Sequence, residues 1–162
     1  MKKIFFVKAL ILISFVLFAF LGYSQEMKTI TWVAYKTKFN VPGDFYVTKS
    51  TDTYWEGNNT DISISIYPKK DENLSQDKMN STILTWATDN GVIKIGEVKA
   101  LDSKKVNGYN GVFCEGEKEG FIIETLLIVD PDFPENSLYI WISYKELQAD
   151  MVFKIITSFT PN

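Results

Sequence analysis

The sequence predicts a layered α+β sandwich built around a largely antiparallel sheet, and three observations predict it. DISISIY, Asp61 to Tyr67, alternates without a break: Ile62, Ile64 and Ile66 share one face and polar side chains the other. That period of two marks a strand with one buried face. FIIETLLIV, Phe121 to Val129, is apolar at nearly every position, as strands covered on both faces are. Two segments of helical period, about 75–90 and 146–158, are available to cover such a sheet.

Each element follows in order. TITWVAY, 29–35, reads as a first strand, and FNVPGDFYV, 39–47, as two short extended pieces around a Pro42-Gly43-Asp44 turn. DTYWEG, 52–57, is a strand closed by Asn58-Asn59. After the polar loop PKKDEN, Ser75 is placed to cap the first helix, in which Met79, Ile83, Trp86 and Ala87 form one apolar stripe. Gly91 suits the left-handed position that commonly ends a helix. A strand at 96–101 precedes a hairpin of 111–118 and 121–129, joined by a tight charged turn. SLYIWISY, 137–144, follows the loop DPDFPEN, and the second helix steps by four through Leu147, Met151, Ile155 and Phe159. The order β-β-β-β-α-β-β-β-β-α suits a sheet made of hairpins. No linker, low-complexity tract or repeat interrupts 25–162, which predicts one domain.

The first 24 residues read as a targeting segment. Met1-Lys2-Lys3 is a short positive region, ALILISFVLFAFL (9–21) is unbroken apolar sequence, and Gly22-Tyr23-Ser24 offers small residues at the positions a signal peptidase reads. The run falls short of the roughly 20 residues a spanning helix needs, although Ile4 to Val7 could extend it across Lys8 as an uncleaved anchor. Cleavage after Ser24 is the expectation. The product is an exported protein, periplasmic or extracellular, with no stable membrane span. No cysteine lies near the junction, which excludes lipid attachment there.

Composition removes several function classes. The chain has no histidine, and all 17 basic residues are lysine. Neither a Ser-His or Cys-His pair nor an imidazole metal ligand can be built, and there is no bidentate arginine clamp. Loss of Lys2, Lys3 and Lys8 leaves 14 lysines against 20 acids, a net charge of −6. Such a surface repels phosphate backbones, so no nucleic-acid partner is expected. No glycine-rich phosphate loop, zinc-type cysteine cluster or G-x-S-x-G elbow is present. No cofactor and no enzymatic activity are expected. Carboxylate pairs stay open, because separation in space, not spacing in sequence, decides them.

The lone cysteine lies within GVFCEGEK. Alternation puts Val112, Cys114 and Gly116 on one face and Phe113, Glu115 and Glu117 on the other. Nearby carboxylates raise a thiol pKa, so Cys114 reads as a core residue. In DPDFPEN, Asp130, Asp132, Glu135 and Asn136 crowd into seven residues. Oxygen ligands so crowded could hold calcium, but the spacing is not the EF-hand pattern, and a proline-braced hairpin loop is the expectation. Aromatics make up 15% of the chain. Periodicity predicts burial for Trp32, Trp86, Trp141, Phe113, Phe121, Phe153 and Phe159. Tyr54, Trp55, Tyr109 and Phe133 fall near predicted turns and strand ends, where exposed rings could anchor a partner; rings that cover the sheet edges of a small protein are the plainer reading.

Four phrases carry a resemblance: FNVPGDFYV, DISISIYPKKDE, VNGYNGVF with its Gly-x-x-Gly, and the terminal FKIITSF. Together they resemble PsbP-like domains over about 29–159. The resemblance implies an α/β/α sandwich around an antiparallel sheet. That superfamily includes the PsbP subunit of photosystem II, an import factor that binds the GTPase Ran, and small exported bacterial proteins. It implies a binding or accessory role and supplies no catalytic residues to carry over. The expectation is therefore a non-catalytic binding or accessory module of the cell envelope, its partner an unknown envelope protein or small ligand. A small-molecule or calcium carrier is the alternative, and a carboxylate-only hydrolase the third class. An enclosed apolar pocket would favour the carrier, two facing carboxylates in a cleft the hydrolase, and a flat aromatic-rimmed surface the module.

Overall fold

The structure, a computed structural model, describes residues 26–101 and 108–162. The signal-segment expectation for 1–24 lies outside the described residues. A small sheet contains β1 (Met27–Trp32), β2 (Thr37–Pro42) and β10 (Thr160–Pro161) in the order β1-β2-β10. The large sheet contains β3 (Tyr46–Ser50), β4 (Trp55–Asn58), β5 (Ile62–Lys70), β6 (Lys99–Leu101), β7 (Asn110–Lys118), β8 (Phe121–Val129) and β9 (Asn136–Tyr144). Its order is β3-β4-β5-β9-β8-β7-β6. Every neighbouring pair is antiparallel. The helices are α1 (Gln76–Asp89) and α2 (Ala149–Ile156). No described helix is long and apolar enough to cross a membrane.

Strand β9 lies between β5 and β8, and this register sorts the side chains. Ile64 faces Ile142, Ile66 faces Ile140, and Leu126 also faces Ile140. Those residues form one core with Phe39, Phe45 and Trp55, and with Val152, Ile155 and Ile156 of α2. The opposite face sets Val112, Cys114, Ile123, Leu127 and Tyr139 against Met79, Ile83 and Ala87 of α1. The large sheet is thus covered on both sides, as expected of FIIETLLIV. The layer on the α2 side is composite, a short helix plus the three-stranded sheet. Burial of each large apolar side chain is worth roughly 1.5–3 kcal/mol.

Local chemistry sets the boundaries. Lys118 pairs with Phe121 across Glu119-Gly120, both at positive φ, the geometry that matches the twist of a two-residue hairpin. Helix α1 ends at Asn90, with Gly91 left-handed at φ 80° and Val92 N–H donating to Ala87 O at 3.0 Å. Ser75 occupies the N-cap with extended backbone, but its hydroxyl makes no capping bond, against expectation. Strand β1 stops at Trp32, three residues early, where a 3₁₀ turn at Val33–Tyr35 begins.

The second helix departs from its predicted stripe at its first position. A 3₁₀ turn, Glu146–Gln148, precedes it, and its roughly three residues per turn break the four-step pattern at Leu147, whereas Met151, Ile155 and Phe159 keep to the core side. Leu147 is consequently 95% exposed, and Val152 and Ile156 join Ile155 in facing the core. Phe153 and Phe121 are exposed, not buried, the first outside the buried set of α2 and the second beside the hairpin turn. Trp32 and Phe159 are buried as expected, whereas Trp86, Trp141 and Phe113 are half-buried.

Candidate functional site

Cys114 is a core residue. It is buried, and its Sγ lies 3.0 Å from Thr125 Oγ1. Burial pushes the thiol pKa up, and nearby Glu124 adds to the rise.

The four candidate anchors separate. Trp55 is 1% exposed, its ring edge-on to Phe39 at 4.9 Å and stacked at 6.3 Å on Phe45. Alternation along β4 sends it into the core, which corrects its candidacy as an exposed anchor. Tyr54, one residue earlier, points the other way and begins a row of rings on the α1 side of the sheet. Its centroid lies 5.0 Å from Tyr67, Tyr67 lies 5.9 Å from Trp86, and Trp86 lies 6.0 Å from Trp141. Lys49 and Lys118 sit over Tyr54 and Trp141. Helix α1 packs on β7 and β8, and Tyr67 of β5 stays 40% exposed. The open part of this face thus carries a row of aromatic rings.

Tyr109 and Phe133 come together. Both line a cleft of about 400 Å³ between the turn 34–37, the end of β5 with Asp71, and the loop 130–136. Tyr109 is buried, which corrects its candidacy as an exposed anchor, and its hydroxyl lies 2.9 Å from Thr37 Oγ1. Burial pushes its pKa up to about 12, so it remains a neutral phenol. Phe133 is 43% exposed, with Lys36 Nζ 5.0 Å from its ring centroid. Tyr35 donates its hydroxyl to Asp52 O at 2.9 Å. Charged residues around the cleft are Lys36, Lys70, Asp52, Asp71, Asp130 and Glu135, four carboxylates against two ammonium groups. Lys36 and Asp71 hold left-handed backbones, φ 47° and 62°. Each such non-glycine residue costs about 1–2 kcal/mol, and such strain concentrates at functional sites.

The loop beside this cleft is a turn. Asp130 Oδ1 accepts from Asp132 N–H at 2.9 Å, Phe133 N–H donates to Asp130 O at 3.0 Å, and Asn136 N–H donates to Phe133 O at 3.0 Å. Among the described residues no group of three His, Cys, Asp or Glu is placed to hold a metal.

One constellation was missed from sequence. Glu115 and Glu124 are direct cross-strand partners on β7 and β8. Glu124 is 5% exposed, and one of its oxygens, Oε1, has no hydrogen-bond partner. Tyr144 donates to Glu115 Oε2 at 3.0 Å. Burial first, and the Glu115 charge second, push the Glu124 pKa up to about 7, while Lys99 and a Tyr144 hydrogen bond pull against them. The signal for the pair was present. A two-residue turn at 119–120 pairs 118 with 121, and counting back three pairs brings 115 opposite 124. These are the facing carboxylates named as the mark of a hydrolase. The space over them is about 200 Å³, below the roughly 300–1,000 Å³ of usual ligand sites.

No family model matches the sequence, and no curated protein matches it. Solved structures do match in fold. The Saccharomyces cerevisiae Ran-binding protein Mog1p superposes with a TM-score of 0.60 at 13% identity, covering 85% of this chain and 96% of that one. A Bacteroides thetaiotaomicron protein gives 0.49 at 10% identity, over 83% of this chain and 48% of the other. The likeness to Mog1p shows a shared fold, in keeping with the PsbP-like resemblance.

Proposed function

We propose that this chain is a non-catalytic binding module of the cell envelope and that it docks a protein partner at the cleft holding Phe133. The construction of that cleft carries the reading. Distant segments of the chain meet there around a half-exposed phenylalanine, two strained non-glycine residues and a ring of mixed charge. Interface anchors are rings of this kind, surrounded by groups that orient the partner. The Ran-binding description of Mog1p supports a binding role for the fold without naming a partner here. The signal pattern of residues 1–24 supports the envelope as the setting. A carrier of small molecules is the second reading, since about 400 Å³ falls within the range of ligand sites.

The test is affinity capture of the full-length chain, tagged at its C-terminus and cross-linked in its native envelope. One protein is expected at near-equal amount. Phe133→Ala should lower its recovery about tenfold, a loss of roughly 1.4 kcal/mol, while leaving the melting temperature within a few degrees. Absence of any partner for a folded, abundant protein overturns the module. A small molecule whose stabilising effect disappears in Phe133→Ala would establish the carrier instead.

A further inference from the structure

Helix α1 packs mainly on β7 and β8, and the sheet face beside it is floored by serines. Ser63 of β5 and Ser143 of β9 are direct cross-strand partners, and Ser65 is paired with Trp141. Asn90 at the end of α1 and the hairpin turn from Lys118 to Phe121 wall this floor in. The pocket so formed holds about 370 Å³, within the range of ligand sites. It shares no lining residue with the Phe133 cleft.

Two lining rings present open surface, Tyr67 at 40% exposed and Phe121 at 43%. Tyr67 pairs with Tyr139, and Ile122, next to Phe121, pairs with Tyr144. The two rings therefore stand roughly 17 Å apart along the strands. Trp141 lies between these levels, with Lys118 Nζ 5.3 Å from its centroid and 2.8 Å from Asn90 O. Ser65 Oγ accepts from the Tyr54 hydroxyl at 3.1 Å, which leaves its own proton to donate. The half-buried Ser63 and Ser143 hydroxyls make no hydrogen bond to a described residue. Each serine hydroxyl offers one donor and two acceptor sites.

We propose that this pocket binds a neutral oligosaccharide of β-linked, glucose-configured units. Such a chain is flat because its hydroxyls are equatorial. Its faces carry C–H groups that stack on rings, and its edges carry hydroxyls that both donate and accept. The pocket sets the same two chemistries side by side, open rings at its ends and serine hydroxyls along its floor. The separation of Tyr67 from Phe121 calls for a chain, since one sugar reaches only one ring. The lining holds one ammonium, Lys118, and one carboxylate, Glu119, a balance that suits an uncharged ligand. A nucleic-acid strand also stacks on rings, but its phosphates need a positive groove, and this one has a single lysine. A protein helix lays apolar side chains into its groove, which would leave the Ser63 and Ser143 hydroxyls buried and unpaired.

The experiment titrates cellohexaose into the ¹⁵N-labelled full chain, followed by amide and indole chemical shifts. Saturable shifts at Ser63, Trp141 and Ser143 are the expected result, with glucose far weaker. Affinity should fall about tenfold in Tyr67→Ala and in Phe121→Ala, and stay unchanged in Leu147→Ala, outside the pocket. Spectra of both ring variants must stay dispersed, which separates loss of binding from loss of fold. Shifts that do not saturate, or that persist in both ring variants, overturn the proposal. So does equal or tighter binding of α-linked maltohexaose or of oligothymidylate. Loss of a cross-linked protein partner in Tyr67→Ala, with no response to cellohexaose, would make the face a protein surface instead.

Discussion

Glu124 ties the stability of this protein to pH. Its folded pKa, about 7, stands above the ordinary 4.5 because burial and Glu115 disfavour the charged form. Between those values the folded chain keeps a proton that the unfolded chain has lost, so stability falls as pH rises through that window and levels off above it. The gap corresponds to on the order of 3 kcal/mol. Glu124→Gln cannot titrate, so it should lose less stability than wild type between pH 5 and pH 8, by a difference of that order. Urea denaturation of both proteins at the two pH values checks this, and parallel pH dependence would refute it. Trp55 supplies a second residue-scale test. Trp55→Ala removes a ring packed between Phe39 and Phe45 and should cost about 3–5 kcal/mol. Tyr54→Ala, on the partly open row, should cost roughly 1 kcal/mol. Similar losses for the two would mean that Trp55 is not a core residue.

At the scale of elements, what could be read from sequence follows the regularity of each period. Ile62, Ile64 and Ile66 alternate against a sheet that continues on both sides, so the period of two had one outcome. FIIETLLIV is buried on both faces because α1 covers one and the α2 layer the other. Met79, Ile83 and Ala87 keep their stripe because α1 is one uninterrupted helix. The second helix keeps Met151, Ile155 and Phe159 on the core side, and the rule fails only at Leu147, where a 3₁₀ turn changes the angular step before the α-helix begins. Nothing in ELQADMVF announces where that change falls. Strand β9 is the element on which the sheet depends, since β5 and β8 both pair with it. Ile140, 0% exposed, contacts both neighbours, so Ile140→Ala should cost about 2–5 kcal/mol. Loss of amide-exchange protection should extend to β5 and β8 together. Loss confined to β9 would show that the sheet does not act as one unit.

Over the whole molecule, the architecture was legible and the candidate sites only partly so. Two helices and hairpin-linked strands specify a layered sandwich, and Mog1p shows the same fold at 13% identity. The cleft is different in kind, because it joins turn 34–37, Asp52, Asp71, Tyr109 and loop 130–136. Contacts between such distant segments follow from tertiary packing, which no local period reports. Phe133 and Tyr109 both fall near predicted turns and strand ends, yet one is exposed and the other buried where they line the same cleft. The Glu115–Glu124 pair was countable from the hairpin turn, but its importance comes from burial. The most direct measurement of the central claim is site-specific photo-crosslinking in living cells. A photoreactive residue is placed at position 133 and, as control, at position 153, which is exposed on α2. A binding module that uses the cleft predicts one discrete adduct from position 133 and none from position 153. Equal adducts from both positions, or adducts from position 153 alone, would contradict it.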